Sequence, residues 1–103
     1  MQVQVNSDGN IEGGDRLVQE VKEMVSRSLE RFGNRITRVE VHLSDINAEK
    51  GGRDTRCVME ARVSGLDPVA VDELAEDVQG ALRGAVGKLR RALDSRLGKL
   101  GDR

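Results

Sequence analysis

The chain has 103 residues with 17 basic and 18 acidic side chains, a formal net charge of −1, and a length that suits one domain with one modest core. One Phe, with no Trp or Tyr, leaves burial to aliphatic side chains, and one Cys excludes an intrachain disulfide or a thiolate metal cluster. No stretch approaches the roughly 20 apolar residues of a membrane span, and MQVQVNSDGN lacks the basic region and apolar run of a signal peptide, so a reduced cytoplasmic protein is expected.

MQVQV alternates polar and apolar residues, predicting a half-buried strand with Val3 and Val5 facing inward. NSDGNIEGGD is a turn-rich loop, and Asp15 is placed to cap the next segment. Leu17, Val21, Met24, Val25, Leu29 and Phe32 then recur at helical spacing, with charged residues elsewhere on the wheel. Gly33 with Asn34 behind it is the expected stop. ITRVEVHLSD alternates, with Val39, Val41 and Leu43 on one face and Arg38, Glu40 and His42 on the other. TRCVMEARV repeats the pattern, with Cys57, Met59, Ala61 and Val63 inside, and NAEKGGRD joins the two as a flexible hairpin loop.

Residues 69–76 tolerate a helix, but Pro68 ahead of Val69 and Val71 favours a strand, with Asp77 capping the helix after it. That last helix is expected from about Val78 to Leu97, burying Val78, Leu82, Ala85, Val86, Leu89 and Leu93. The order is β-α-β-β-β-α. Short connections make the last three strands an antiparallel meander, and the first strand joins through the first helix as a parallel neighbour. The fold class is therefore α+β, a two-layer sandwich with a four-stranded sheet and two helices on one face, spanning residues 1–103 as a single domain.

The chemical inventory is thin. His42, the only histidine, has solvent-facing parity, and Cys57 has the parity of a small buried hydrophobe. The loop aspartates match no calcium or glycosidase spacing, and the glycine-rich loops lack the context of a phosphate loop. No enzyme, cofactor, metal site or small-molecule substrate is expected.

Charge is segregated along the chain. Residues 78–103 hold seven basic groups against Asp94 and Asp102, a net of +5, which leaves −6 for residues 1–77. Within QGALRGAVGKLRR, a wheel places Gly80, Gly84, Gly87 and Arg91 opposite the leucine stripe, flanked by Arg83, Lys88 and Arg90. Each interior glycine costs a helix about 1 kcal/mol against alanine. Three readings stay open: a flat basic face that lets a phosphate backbone approach, Gly84 and Gly80 letting the first helix pack close, or glycines that are merely tolerated.

The element order and VQGALRGAVGKLRRAL resemble the short form of the ribosome hibernation-promoting factor and ribosome-associated inhibitor family, through Asp77, Ala81, Gly84, Lys88, Leu89, Arg91 and Leu93. RITRVEVHLSD and RCVMEARVSG resemble the family's second and third strands, so the similarity spans about the whole chain. The resemblance implies a non-catalytic protein that occupies the decoding and mRNA channel of the small ribosomal subunit and silences translation in stress or stationary phase. It implies contacts to ribosomal RNA from Lys88 and Arg91. Arg90, Arg83 and Arg96, with Arg27 and Arg31 on the first helix, are added from charge alone.

The family's final helix usually has a more basic tail than this one, where Asp94, Ser95 and Leu97 intervene. A pI of 5.8 is accommodated if an acidic sheet face turns away from the RNA. The alternative is a protein-interaction module on the same fold without ribosome affinity, and a homodimer through a sheet edge stays open.

Overall fold

A computed structural model of the chain describes residues 1–8, 11, 13–46 and 55–101. The hairpin loop expected at 47–54, and residues 9, 10 and 12 of the first loop, lie outside the described residues. The elements are β1 (Gln2–Ser7), α1 (Gly14–Ser28), a short 3-10 segment (Glu30–Arg35), β2 (Ile36–Asp45), β3 (Thr55–Val63), β4 (Val69–Ala75) and α2 (Val78–Gly101). The four strands form one sheet in the order β1-β2-β3-β4, with β1 parallel to β2 and the other pairs antiparallel. This is the expected α+β architecture, and residues 69–75 are strand rather than helix.

Alternation positions the core. Val39, Val41 and Leu43 from β2 and Cys57, Met59, Ala61 and Val63 from β3 are buried on the face that both helices cover. A register shift between Ile36 and Arg38 brings Ile36 onto the same face despite its odd spacing from Val39. Leu17, Val21 and Val25 descend from α1, and Leu82, Ala85, Val86, Leu89, Leu93 and Leu97 from α2. The single aromatic, Phe32, only half-buries at the margin, so the core is aliphatic. Fully burying one such side chain contributes about 1.5–3 kcal/mol.

The helix ends differ from the expectation at α1 and match it at the start of α2. Gly13, at φ 133°, precedes α1 with no side-chain cap, and Asp15 lies in the first turn instead of capping it. A Cβ on Gly13 would stand 2.6 Å from Leu17 Cβ, so the entry angle of the chain excludes a larger residue. The helix stops at Ser28, and Leu29 and Phe32 continue the apolar pattern through a 3-10 turn that Gly33, at φ 59°, redirects into β2. At α2, Asp77 accepts a hydrogen bond from Gly80 N at 2.8 Å through Oδ1, as a helix cap should. That helix continues to Gly101, beyond the expected Leu97.

The solvent face of the sheet is charge-balanced, which corrects the expectation of an acidic face. Within the strands, Arg38, Arg56 and Arg62 stand against Glu40, Glu60 and Asp72. They pair as Arg38–Glu40 at 3.1 Å, Arg56–Asp72 at 3.0 Å and Arg62–Glu60 at 3.8 Å. Only Arg56–Asp72 crosses between strands; the register sets Arg38 opposite Arg62 and Glu40 opposite Glu60, and the pairs within β2 and within β3 offset these like-charged neighbours. Negative charge lies instead along α1, at Asp15, Glu20 and Glu23, and ahead of α2, at Glu73, Glu76 and Asp77.

Candidate nucleic-acid interface

The two helices run in the same direction. Glu20 and Glu23 of α1 border the same recess as Gln79, and further along Arg27 and Arg31 face Arg90, Arg91 and Asp94. Asp15 in the first turn of α1, Arg27 in its last turn and Asp77 capping α2 suit the helix dipoles. Because the helices are parallel, the basic end of α1 lies beside the middle of α2, where Arg90 and Arg91 stand, and a cationic groove is left between them.

Arg27, Arg31, Arg90 and Arg91 line that groove, with Glu30 and Asp94 the carboxylates beside them. Arg31, expected on the first helix, lies in the 3-10 segment after α1 and reaches across to Asp94 of α2, and its guanidinium lies 4.9 Å from the centroid of Phe32. Asp94, which interrupts the basic tail in sequence, thus fixes one arginine of the groove in place. Arg27, Arg90 and Arg91 are exposed and make no ion pair or hydrogen bond among the described residues. Three uncommitted guanidinium groups on one open groove can each meet a phosphate through paired N–H donors. Arg83, two turns before Arg90 on the same flank of α2, extends the line towards the helix start.

The other expected contacts lie elsewhere. Lys88 is on the opposite flank, where Nζ sits 2.6 Å from Glu73 Oε1 and donates to the Asp72 carbonyl at 2.8 Å. Arg96 borders the start of β4, beside Pro68 and Val69. The structure therefore brings together four of the seven basic residues singled out by sequence and sends Lys88 and Arg96 to the β4 side.

The glycines are also not a uniform outer platform. A Cβ on Gly84 would lie 2.6 Å from both Glu73 Cγ and Oε2, and one on Gly80 would lie 3.2 Å from Ala75 Cβ. Both residues turn towards β4, which is the close neighbour where a helical wheel suggests solvent or α1. A wheel centred on the leucines misses this contact. Because α2 also packs on the edge strand β4, its covered arc extends beyond the leucine stripe. Gly87 has an open side, with only the Arg91 guanidinium at 3.5 Å from a Cβ placed there.

Cys57 is inward, and burial pushes its thiol up to about 12, so it is protonated at neutral pH. His42 lies on the wet sheet face with Nε2 at 3.5 Å from Glu40 Oε1. Among the described residues no group of His, Cys, Asp and Glu side chains is assembled to hold a metal ion, and no helix is long and apolar enough to cross a membrane.

A small α+β domain with a cationic groove between parallel helices is a class of protein suited to docking on a polyanion. The chain belongs to the family described as sigma 54 modulation protein / S30EA ribosomal protein, a ribosome-associated family whose model matches residues 3–101. In fold it is similar to the N-terminal domain of Thermus thermophilus Protein Y, with a TM-score of 0.73 at 23% identity over 92% of this chain and 98% of that one. It is also similar to a ribosomal subunit interface protein from Coxiella burnetii, with a TM-score of 0.70 at 15% identity over 95% and 99% of the two chains. Comparison with curated proteins gives no match.

Proposed function

We propose that this protein binds the small ribosomal subunit in the cytoplasm and inhibits translation by occupying the decoding and mRNA channel during stress or stationary phase. Membership of a ribosome-associated family supports the partner. The observation that carries the mode of binding is the groove in which Arg27, Arg90 and Arg91 stand without partners among the described residues. Phosphates of ribosomal RNA replace water and counterions around those groups, and Gly87 allows a sugar–phosphate chain to come close beside Arg91. No bond is made or broken; occupancy of the channel is the inhibitory act.

A single copy is the binding unit in this proposal. Strand alternation by itself leaves pairing through either sheet edge open. Charged side chains and the Lys88 contact occupy β4, so that edge is poorly suited to self-pairing.

Cosedimentation with purified small subunits tests the proposal. Binding should weaken with salt by roughly 0.7–0.9 in log K per log salt for each phosphate contact. The protein should also stop a cell-free translation reaction in proportion to subunits occupied. Salt-independent binding, or full occupancy without inhibition, would refute the proposal.

A further inference from the structure

We propose that the free edge of β1, together with the flank of α1 beside it, forms a second docking groove that receives an extended acidic peptide as a fifth strand. The inference goes beyond ribosome binding and does not depend on it.

The two edges of the sheet are built differently. On β4 the carbonyl of Asp72 is already taken by Lys88, and Asp72 and Glu73 place charge along the strand. On β1, QVQVNS carries no charge, no proline and no bulge. Asp8 N donates to Leu43 O at 3.1 Å, in register with the parallel pairing of Ser7 with Leu43. Strand alternation then turns the even-numbered amides towards β2 and leaves the N–H and C=O of Val3, Val5 and Ser7 directed to the open side. An incoming strand finds both donors and acceptors there, the requirement for strand addition.

The groove along this edge is lined by Val3 and Val5 of β1, by Val18, Lys22 and Ser26 of α1, and by Arg38 reaching over from β2. It lies on the opposite flank of α1 from Arg27, so both grooves can be filled together.

Its charge selects the occupant. Among the described residues no carboxylate lines it. Lys22 is exposed, makes no ion pair among the described residues, and has Val18, Gln19, Val25 and Ser26 at helical neighbour positions. Arg38 is already held by Gln4 and Glu40 and its Nε is buried, so Lys22 is the cation left to an incoming side chain. The nearby carboxylate of Asp8 is turned away, accepting from Asp45 N at 3.1 Å. A peptide strand places alternate residues towards α1, where small apolar side chains meet the valines and an acidic one meets Lys22. The remaining residues face Arg38. A second copy of β1 fits less well, because a two-fold pairing brings the two Lys22 flanks together with no carboxylate between them.

The test uses the full chain, labelled with nitrogen-15, at physiological salt. It is titrated with a blocked peptide in which Glu alternates with Val except that one central Val is replaced by Glu, with the counterpart carrying Lys for every Glu, and with the acidic peptide N-methylated on every second amide. Amide shifts should centre on Val3, Val5 and Ser7 with the acidic peptide. The basic peptide should leave them unmoved, and methylation in the register facing β1 should weaken binding at least tenfold. Lys22→Glu, on an exposed position, should weaken the acidic peptide to the same degree with an unchanged thermal midpoint. Equal binding of both peptides overturns the proposal. So do shifts confined to Arg27, Arg31, Arg90 and Arg91, and so does a dimer that covers β1 in the absence of peptide.

Discussion

The two flanks of α2 carry cations only a turn apart in sequence. On the flank facing α1, Arg90 and Arg91 enter an open groove without partners among the described residues, whereas on the flank facing β4, Lys88 is held by Glu73 and by the Asp72 carbonyl. The glycines divide in the same way: Gly84 is closed by Glu73, and Gly87 is open. The comparison teaches that a basic helix is not one surface. Charge that is already neutralised by the fold contributes little to docking, and the same charge one flank away is free to do so.

The strongest way to break this distinction is to reverse the groove. Arg90→Glu with Arg91→Glu should lower small-subunit affinity on the order of 100-fold, while thermal stability moves by no more than about 0.5 kcal/mol, as for exposed substitutions. Cosedimentation and thermal melting measure the two effects separately.

The β4 flank can be sharpened through Cys57, the cross-strand neighbour of Glu73. Its folded thiol is raised from 9.0 to about 12 by burial. Between those values the unfolded chain releases the thiol proton and the folded chain keeps it, so the unfolded state binds fewer protons and stability falls as pH rises. The slope from this group approaches about 1.4 kcal/mol per pH unit. Denaturant melts from pH 8 to 11 should show that slope, and Cys57→Ala should remove it from the difference curve.

The paired glycine substitutions should have opposite signs. Gly87→Ala meets only ordinary contact and should stabilise the protein by about 0.5–1 kcal/mol through helix propensity. Gly84→Ala must displace Glu73 and with it the Lys88 contact, so the same propensity gain is lost and the net change is destabilising by about 1 kcal/mol. Equal stabilisation of both would show that α2 does not lie against β4 as described.

The smallest effect belongs to Lys88→Ala. At 46% side-chain exposure its ion pair is well screened and contributes no more than about 1 kcal/mol. Small-subunit affinity should fall less than about threefold, well short of the effect of the arginine pair.

Much of this architecture is legible in the residues. β2 and β3 follow their alternation closely because one face is wet and the other dry, and β4 is marked by Pro68 and the spacing of Val69 and Val71. The end of α1 is not, because Leu29 and Phe32 keep the apolar rhythm through a 3-10 turn. A wheel misplaces Gly80 and Gly84 because it cannot show that α2 packs against an edge strand. Charge alone points to Arg27, Arg31 and Arg90, and the family resemblance to Arg91, but their meeting depends on two helices running parallel. The partners that fix Arg31 and hold Lys88 are 63 and 15 residues away in sequence, and no local pattern announces them.

The most direct measurement is the salt dependence of small-subunit binding for the parent protein, Arg91→Gln and Lys88→Gln. Loss of one phosphate contact should flatten the slope by roughly 0.7–0.9 in the arginine variant and leave it unchanged in the lysine variant. A flattened slope for Lys88→Gln with an unaltered one for Arg91→Gln would place the RNA on the β4 side of α2 and contradict the account.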